Sequence, residues 1–125
     1  MPKPVNISDA EWEVMHVLWD ASAALSANQV VEALAGRKDW NPRTVKTLLN
    51  RLINKGALAY EAQGKRYLYR PRVSREQCVR DETRSFLSRV FAGAPGPMLL
   101  QFVAQAKLTP DEVDALKRLL DKKAK

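Results

Sequence analysis

This 125-residue sequence has little of what enzymes and disulfide-stabilised proteins need. It contains one cysteine, Cys78, and one histidine, His16. A single cysteine excludes an internal disulfide and a cysteine-rich metal cluster. The sequence also has no glycine-rich phosphate loop and no Ser/His/Asp set with a recognisable spacing. It therefore predicts a protein that is not an enzyme and that needs no metal or other cofactor.

Long hydrophobic stretches are missing as well. No apolar run approaches the ~20 residues that a membrane helix requires. The opening segment "MPKPVNISD" lacks the apolar centre of a signal peptide, so we expect a cytoplasmic protein. The length allows one compact domain or two small ones.

The two rare side chains are better explained by packing than by chemistry. His16 lies between Met15 and Val17 in an apolar helical segment, which favours a packed or partly exposed ring over a catalyst. Cys78 follows closely after the start of another helical segment. We expect it to be an inert thiol at the surface or at an interface, with a redox sensor as the alternative.

Acidic residues are scarce in one part of the chain. Between positions 37 and 72 there are ten Lys and Arg residues but only two acids, Asp39 and Glu61. This segment carries a charge of +8, whereas the whole chain carries +7. Positive charge concentrated in this way attracts polyanions such as nucleic acids.

The segment "NPRTVKTLLNRLINKG", residues 41–56, predicts a helix with two contrasting faces. Asn41 suits the N-cap, Pro42 the first helical position and Gly56 the left-handed position after the last turn. At about 3.6 residues per turn, one side carries an apolar stripe. Its members are Val45, Leu48, Leu49, Leu52 and Ile53. The opposite side contains no acid; taken alone, a solvated basic face and a nucleic-acid reading face explain it equally well.

A helix of this kind can read the major groove of DNA. Arginine donates to guanine, asparagine pairs with adenine, and a threonine methyl contacts thymine. The residues that face this way are Arg43, Thr44, Thr47, Asn50, Arg51 and Asn54. Lys38, Lys46 and Lys55 are expected to reach phosphates instead.

The next segment, "ALAYEAQGKRYLYRP", predicts a β-hairpin. Tyr67 and Tyr69 alternate with other residues, "QGK" favours a turn, and Pro71 ends the second strand. Lys65 and Arg66 lie at or beside the tip, where they can contact a DNA backbone or minor groove. The alternative is an ordinary edge hairpin whose lysine prevents aggregation. Together, the hairpin, the preceding helix and the concentrated charge favour nucleic-acid binding.

Helical patterns surround these two elements. Two amphipathic segments precede them and three follow, the second of which is expected to start at Met98 after the helix-breaking "APGP". The predicted capping pairs are Ser8 with Glu11, Ser26 with Gln29 and Ser74 with Gln77, and Thr109 caps the last helix. This order predicts a mainly α fold with a small β-hairpin wing. We expect a winged helix-turn-helix DNA-binding domain over residues 1–73 and a three-helix dimerisation domain over residues 74–125.

The second predicted domain is too small and too apolar to be stable alone, since a lone core below about 70 residues is marginal. A second copy of the chain can bury its apolar faces in a symmetric homodimer. The residues expected in this interface are Phe86, Leu87, Val90, Leu99, Phe102, Val103, Leu116, Leu119 and Leu120.

Several stretches of the sequence resemble the penicillinase repressor family of the BlaI/MecI type. They are "ISDAEWEVMHVLW", "ANQVVEAL", "WNPRTVKTLLNRLINKGAL" and "GKRYLYRPRVSREQ", and the likeness is strongest over residues 7–73. It extends to "ETRSFLSRVFAG" and "LTPDEVDALKRLLD" nearer the end of the chain. By position, the family's reading helix corresponds to Arg43, Thr44, Lys46, Thr47 and Arg51, and its wing to Gly64, Lys65 and Arg66.

The resemblance implies a dimeric winged-helix repressor that binds an inverted-repeat operator and controls β-lactamase or cell-wall-stress genes, and thereby antibiotic resistance. In this family, a membrane sensor with a cytoplasmic metalloprotease domain leads to cleavage of an Asn–Phe bond in the dimerisation domain. The matching residues here are Gln101 and Phe102, so Phe102 agrees with the family and Gln101 departs from it.

Three other functions stay open at the level of sequence. The first is a non-specific nucleic-acid-binding protein, which would use the same charge without reading bases. The second is a protein-interaction module whose basic face binds an acidic partner. The third is a regulator that is induced by a small ligand bound at the dimer interface.

Overall fold

The computed structural model of this chain describes residues 5–125, which form six helices and three short strands. The helices are α1 (Asp9–Asp20), α2 (Ala27–Leu34), α3 (Pro42–Asn54), α4 (Arg75–Phe91), α5 (Pro95–Gln105) and α6 (Pro110–Ala124). The strands are β1 (Leu25–Ser26), β2 (Leu58–Gln63) and β3 (Arg66–Pro71). The predicted order of three helices, a hairpin and three helices is confirmed. Residues 1–4 of the predicted domain 1–73 lie outside the described residues.

Most helices begin directly after the polar N-cap residues that were predicted from the sequence. In α1, the Glu11 amide donates to the Ser8 hydroxyl (3.3 Å) and the Ser8 amide donates to the Glu11 carboxylate (2.9 Å). The same reciprocal pairs start α2 at Ser26 and α6 at Thr109. Each pair provides acceptors for amides that a helix start leaves without intrahelical partners.

Two predicted helix starts are wrong in detail. The Gln77 amide donates to the Ser74 hydroxyl (3.1 Å), but the Gln77 side chain donates to Asp81 (2.9 Å) instead of returning to Ser74. Only half of that capping box therefore forms. Helix α5 begins at Pro95, earlier than the predicted Met98. Prolines are tolerated in a first turn because their missing amide hydrogens would have no helical acceptor there.

The sheet contains one strand that periodicity did not predict. Strand β1 is two residues long and pairs antiparallel with β3, so the strand order is β1-β3-β2. In the hairpin, Tyr60 lies opposite Tyr69 and Ala62 opposite Tyr67. Side chains alternate along a strand, so these four residues share one face of the sheet.

The core of the first part of the chain forms around the predicted stripe of α3. Val45, Leu48, Leu49 and Leu52 are buried, and Ile53 packs against them partly buried. Partners come from α1, α2 and the hairpin: Val14, Met15, Leu18, Val30, Leu34, Leu58 and Tyr69 are all buried in the same cluster. Burial of this stripe turns the opposite face of α3 to solvent.

A buried carboxylate ties α1 to the end of α3. Glu11 is 1% exposed and pairs with Lys55, whose ammonium also donates to the Asn6 carbonyl oxygen (2.7 Å). Burial alone raises the pKa of the Glu11 carboxyl, but hydrogen bonds from Lys55 and Ser8 outweigh it and hold the pKa below its usual 4.5. Glu11 therefore stays charged and paired in the folded chain.

The chain divides into two compact units, one ending at Thr83 and the other comprising Arg84–Lys125. Within Arg84–Lys125, Met98 alone is buried. The ring of Phe86 contacts those of Phe91 and Phe102 at centroid distances of 5.9 and 5.8 Å. The second unit thus has little core of its own.

None of the helices in residues 5–125 combines the length and apolarity needed to cross a membrane.

We expect the Glu11→Gln substitution to lower the free energy of unfolding at pH 7 by about 1–2 kcal/mol, because a charged hydrogen-bond acceptor for Lys55 is lost. The folded-state pKa of Glu11 is depressed, so this stabilisation is present above pH 4.5 and disappears as the pH falls through the lower folded value. Urea unfolding across pH 2–7 measures both effects.

Glu61→Gln is the matched control for this measurement, since Glu61 is exposed on the hairpin. The wild type and the Glu11→Gln variant should converge in stability at low pH, whereas Glu61→Gln should follow the wild type throughout. Equal stability of wild type and Glu11→Gln at pH 7 would contradict a stabilising role for the pair.

Candidate nucleic-acid interface

The acid-free face of α3 is exposed except at Thr44. Arg43, Lys46, Thr47, Asn50, Arg51 and Asn54 are exposed, and Thr44 is half-buried. The predicted division of the helix into a buried stripe and a polar outer face is therefore confirmed. This outer face offers guanidinium and amide donors at helical spacing, which suit base edges and phosphates.

The first turn of α3 is held by side-chain hydrogen bonds. The Asn41 side-chain oxygen accepts from the Thr44 amide (2.9 Å) and from the Thr44 hydroxyl (3.2 Å). One turn later, the Thr47 hydroxyl donates to the Arg43 carbonyl oxygen (3.0 Å). Because the hydroxyl hydrogens of Thr44 and Thr47 are already used, Thr47 presents mainly its methyl group and an acceptor lone pair outward.

A tight turn at Gly56 sets the hairpin beside α3. Gly56 has φ +83°, a left-handed conformation that costs glycine little. The Gly56 amide donates to the Ile53 carbonyl (3.0 Å) and the Ala57 amide to the Leu52 carbonyl (2.9 Å). These two bonds form the Schellman arrangement that ends helices. Buried Ala57 and Leu58 then lead directly into β2.

An open groove of about 620 Å³ lies between α2, α3 and the hairpin. Lys46 and Asn50 line it from α3, and Lys65, Arg66 and Tyr67 line it from the hairpin. Predicted site residues that are separated by some 15–20 positions in sequence thus share one surface. Asn28 and Gln29 of α2 border the same groove, although the sequence pattern did not indicate them.

A second groove of about 360 Å³ runs between α3 and the hairpin strands. Asn50 and Asn54 form one wall, and three tyrosines form the other. Tyr60 and Tyr67 are each 51% exposed, and their rings meet edge to face at 4.9 Å. Tyr69 is buried, and this burial raises the pKa of its hydroxyl. Asn50 borders both grooves and is therefore central to the surface.

The exposed tyrosines were missed as site residues. Their signal is visible in the sequence, since Tyr60, Tyr67 and Tyr69 fall on one face of the predicted hairpin. Two exposed aromatic rings beside a polar helix can stack on or hydrogen-bond to a partner. They extend the candidate surface from α3 along the hairpin.

Two cations predicted to reach phosphates are held within the fold instead. Lys55 pairs with buried Glu11 and donates to the Asn6 carbonyl. Lys38 forms an ion pair with Glu13 at 3.7 Å and lies over the ring of Trp40 at 5.8 Å. Of the three predicted phosphate lysines, Lys46 is the one that borders the groove.

The single histidine, His16, and the single cysteine, Cys78, do not line either groove. His16 is half-buried between Trp12 and Trp19, with ring-centroid distances of 5.6 and 5.9 Å, as its packed interpretation predicted. Cys78 belongs to the buried core, so the expectation of a surface thiol is wrong. Burial, and to a smaller extent the charge of Asp81, raises the pKa of the Cys78 thiol, which keeps it protonated and unreactive.

The residues predicted for dimerisation and cleavage belong to the second unit. Six of the predicted dimer residues are exposed apolar side chains, namely Val90, Leu99, Phe102, Val103, Leu119 and Leu120, while Phe86, Leu87 and Leu116 are half-buried. Gln101 and Phe102 lie inside α5, and the Ala106 amide donates to the Phe102 carbonyl at 2.9 Å.

This chain is similar to known proteins over nearly its whole length. A family model described as "Penicillinase repressor" matches residues 7–122. The penicillinase repressor of Bacillus licheniformis is 36% identical over 121 residues, which cover 97% of this chain and 94% of that protein. The methicillin resistance regulatory protein MecI of Staphylococcus aureus (strain N315) is 35% identical over 121 residues, covering 97% and 98%.

A solved structure is also similar to this chain. It is the solution structure of Bacillus licheniformis BlaI in monomeric form in complex with the blaP half-operator. The identity is 40%, the aligned part covers 62% of this chain and 93% of that chain, and the TM-score is 0.52. The likeness therefore concerns sequence as well as fold.

Proposed function

The chain belongs to the penicillinase repressor family, and we propose that it is a sequence-specific DNA-binding transcriptional repressor that acts as a homodimer on an inverted-repeat operator. The observation that carries this proposal is the shared surface of α3 and the hairpin. There, the acid-free face of a helix that suits a major groove borders two grooves lined by hairpin cations and tyrosines.

In this proposal, α3 reads bases from the major groove. Arg43, Thr47 and Asn50 are exposed and face away from the core, so they are assigned to base edges. Thr44 and Arg51 flank them and contact either bases or backbone. The amide group of Asn50 suits adenine, and the Thr47 methyl suits thymine.

The hairpin and Lys46 are assigned to the sugar-phosphate backbone. Lys65 and Arg66 border the same groove as Lys46, so the three cations can follow one strand of DNA. The hydroxyls of Tyr60 and Tyr67 can donate to phosphate oxygens in the neighbouring groove. These contacts provide affinity that depends on salt and not on sequence.

The exposed apolar side chains of the second unit support the proposed dimer. Its exposed apolar side chains include Phe102 (49% exposed), Leu119 (56%) and Leu120 (55%), and α6 has no buried residue. A unit of this size with one buried side chain gains stability by burying its apolar faces against a second copy. Two copies of α3 would then meet two half-sites related by a twofold axis.

The target genes are proposed to be those of β-lactam resistance or cell-wall stress. Relatives that align over nearly the whole chain are named as a penicillinase repressor and a methicillin resistance regulatory protein. Both names describe regulators and not enzymes, which agrees with a repressor function for this chain.

Induction is proposed to proceed through a membrane sensor metalloprotease pathway that leads to cleavage between Gln101 and Phe102. This bond lies within α5, and proteases bind their substrates as extended strands, so the helix has to open first. Helix α5 has one buried residue, Met98, and no side-chain hydrogen bond at its N-cap. Few buried contacts and a weak cap favour local opening.

Base readout can be tested at Thr47. We expect Thr47→Ala to reduce the preference for a selected inverted repeat over scrambled DNA by about 1–3 kcal/mol per lost base contact. The inverted repeat is the duplex that the wild type enriches from a random pool, and fluorescence anisotropy at one salt concentration gives both affinities.

Two further variants show whether the methyl or the hydroxyl group of Thr47 contacts the base. Because the Thr47 hydroxyl donates to the Arg43 carbonyl, the methyl group should carry the contact. Thr47→Val should therefore keep most of the preference, and Thr47→Ser should lose it. An unchanged preference in Thr47→Ala would contradict the assignment, and a wild type that binds both duplexes equally would refute the repressor proposal in favour of non-specific binding.

Backbone contact can be tested at Lys65. We expect Lys65→Ala to weaken binding to selected and scrambled DNA alike, since a phosphate contact is lost in each subunit. The slope of log affinity against log salt should become shallower by about one per lost contact, or about two per dimer. Lys107→Ala, which removes an exposed lysine from the second unit, is the control and should leave the slope unchanged. Loss of sequence preference with an unaltered slope would contradict this role.

The dimer interface can be tested at Phe102 and Leu120. Aspartate at either position should raise the dimer dissociation constant by about 30-fold or more, because a charge would enter a buried apolar contact. Analytical ultracentrifugation measures the constant, and circular dichroism checks that helix content is kept. Gln101→Asp adds the same charge at a neighbouring exposed position. It should raise the dimer dissociation constant less than Phe102→Asp does. Intact dimers in both the Phe102→Asp and Leu120→Asp variants would refute this interface.

A further inference from the structure

The second groove, between α3 and the hairpin strands, has an uncharged lining. The described residues that line its volume of about 360 Å³ are Asn50, Ile53, Asn54, Tyr60, Tyr67 and Tyr69, all with neutral side chains. The first groove, by contrast, is lined by the three cations Lys46, Lys65 and Arg66. Because phosphates are attracted to those cations, the second groove suits an uncharged part of DNA.

The charged residues nearest to this groove in sequence do not contribute to its lining. The ammonium group of Lys55, which follows Asn54 in the chain, pairs with the buried Glu11 carboxylate, so its charge is neutralised within the fold. Glu61 is next to Tyr60 in strand β2, and successive side chains of a strand point to opposite faces of the sheet. Asn54 therefore presents its amide in a neutral setting.

Two amide side chains form the helical wall of the second groove. Asn50 and Asn54 are both exposed and lie one turn apart on α3. An asparagine amide has a donor and an acceptor, which match the N7 acceptor and the N6 donor of adenine in the major groove. Guanine offers two acceptors at the same edge, so one of the two hydrogen bonds is lost there. Uncharged amides at this spacing therefore favour adenine.

The wall opposite the amides is aromatic. Tyr60 and Tyr67 are each 51% exposed, and their rings meet at a centroid distance of 4.9 Å and an interplanar angle of 63°. Tyr67 lies opposite the small Ala62 in the hairpin, which leaves space for its ring beside the diagonal neighbour Tyr60. Rings that already restrict each other lose little freedom when a partner binds. Their apolar surface suits the methyl group of thymine, the partner of adenine.

We propose that Asn54 and the Tyr60–Tyr67 pair form a second base-reading site, specific for an A·T pair, which adds to the readout by the first turns of α3. This inference rests on the proposed function, because it requires α3 to lie in the major groove. The juxtaposition that carries it is an uncharged groove with amides along one wall and tyrosine rings along the other.

The geometry of α3 predicts where this second site reads. Thr47 and Asn54 are seven residues apart, which corresponds to about 10 Å at a rise of about 1.5 Å per residue. Successive base pairs of B-DNA are about 3.4 Å apart, so the two side chains reach positions about three base pairs from each other. The A·T pair is therefore expected about three positions from the base pair that Thr47 reads.

The amide is tested with the full-length protein and the duplex that the wild type enriches from a random pool. Each base pair of one half-site is replaced in turn, and fluorescence anisotropy gives the affinities. The wild type should prefer A·T at the predicted position by about 10-fold or more, and Asn54→Ala should reduce this preference below about 3-fold. The preference that depends on Thr47 should remain. The slope of log affinity against log salt should also remain, since no phosphate contact is lost.

The ring is tested at Tyr60. Tyr60→Phe and Tyr60→Ala both remove the hydroxyl, so any difference between them reports on the ring. Deoxyuridine in place of the thymine of the A·T pair removes only the methyl group and should weaken binding of the wild type and Tyr60→Phe by about 3-fold. Tyr60→Ala should bind both duplexes equally, with circular dichroism confirming that it is folded. An equal loss in the wild type and Tyr60→Ala would overturn the role of the ring.

Asn28→Ala is the matched control for the amide, because it removes an exposed amide that borders the first groove. It should keep the A·T preference of the wild type. Weaker binding of Asn54→Ala to all duplexes alike, with a shallower salt slope, would overturn the inference by placing Asn54 on the backbone.

Unchanged preferences at every position in Asn54→Ala would overturn the inference as well. In both cases, a preserved preference at the position read by Thr47 would leave the proposed function standing. A wild type that does not distinguish the selected duplex from scrambled DNA would instead refute the proposed function and this inference with it.

Discussion

Burial of the apolar stripe of α3 is the constraint on which the rest of this protein depends. Val45, Leu48, Leu49 and Leu52 can leave water only if α1, α2 and the hairpin close around them. Since a helix is rigid, this burial also decides where its other face points. Arg43, Thr47 and Asn50 are presented outward as a consequence of how the core is packed. The packing of the core is therefore enough to hold the exposed face of α3 in place.

The hairpin joins that surface because of how α3 ends. The left-handed backbone at Gly56 reverses the chain within one turn, and Ala57 and Leu58 anchor the first strand in the core. This places the cations of the hairpin tip and the exposed tyrosine pair along the same grooves as Asn50. One cation of this segment has a structural role, since Lys55 neutralises the buried Glu11 carboxylate. Part of the positive charge in this segment thus stabilises the fold itself.

The two units differ in how completely their apolar side chains are buried. The first unit surrounds a continuous core, whereas the second leaves most of its large apolar side chains exposed or half-buried. Helix α4 begins in the first unit and ends in the second, with its first turn held by Trp19 and Asp20.

The local features could be predicted from the amino-acid sequence alone: the two faces of α3, the caps at Ser8, Ser26 and Asn41, the hairpin, and the concentration of charge between positions 37 and 72. These follow from periodicity, capping chemistry and composition, which act over a few residues. Features that depend on distant partners became visible in the folded chain. The tertiary structure added strand β1, retained Lys38 and Lys55 within the fold, buried Cys78, and brought Trp19 to Arg75. Such contacts join residues tens of positions apart, and no local pattern records which of them will meet.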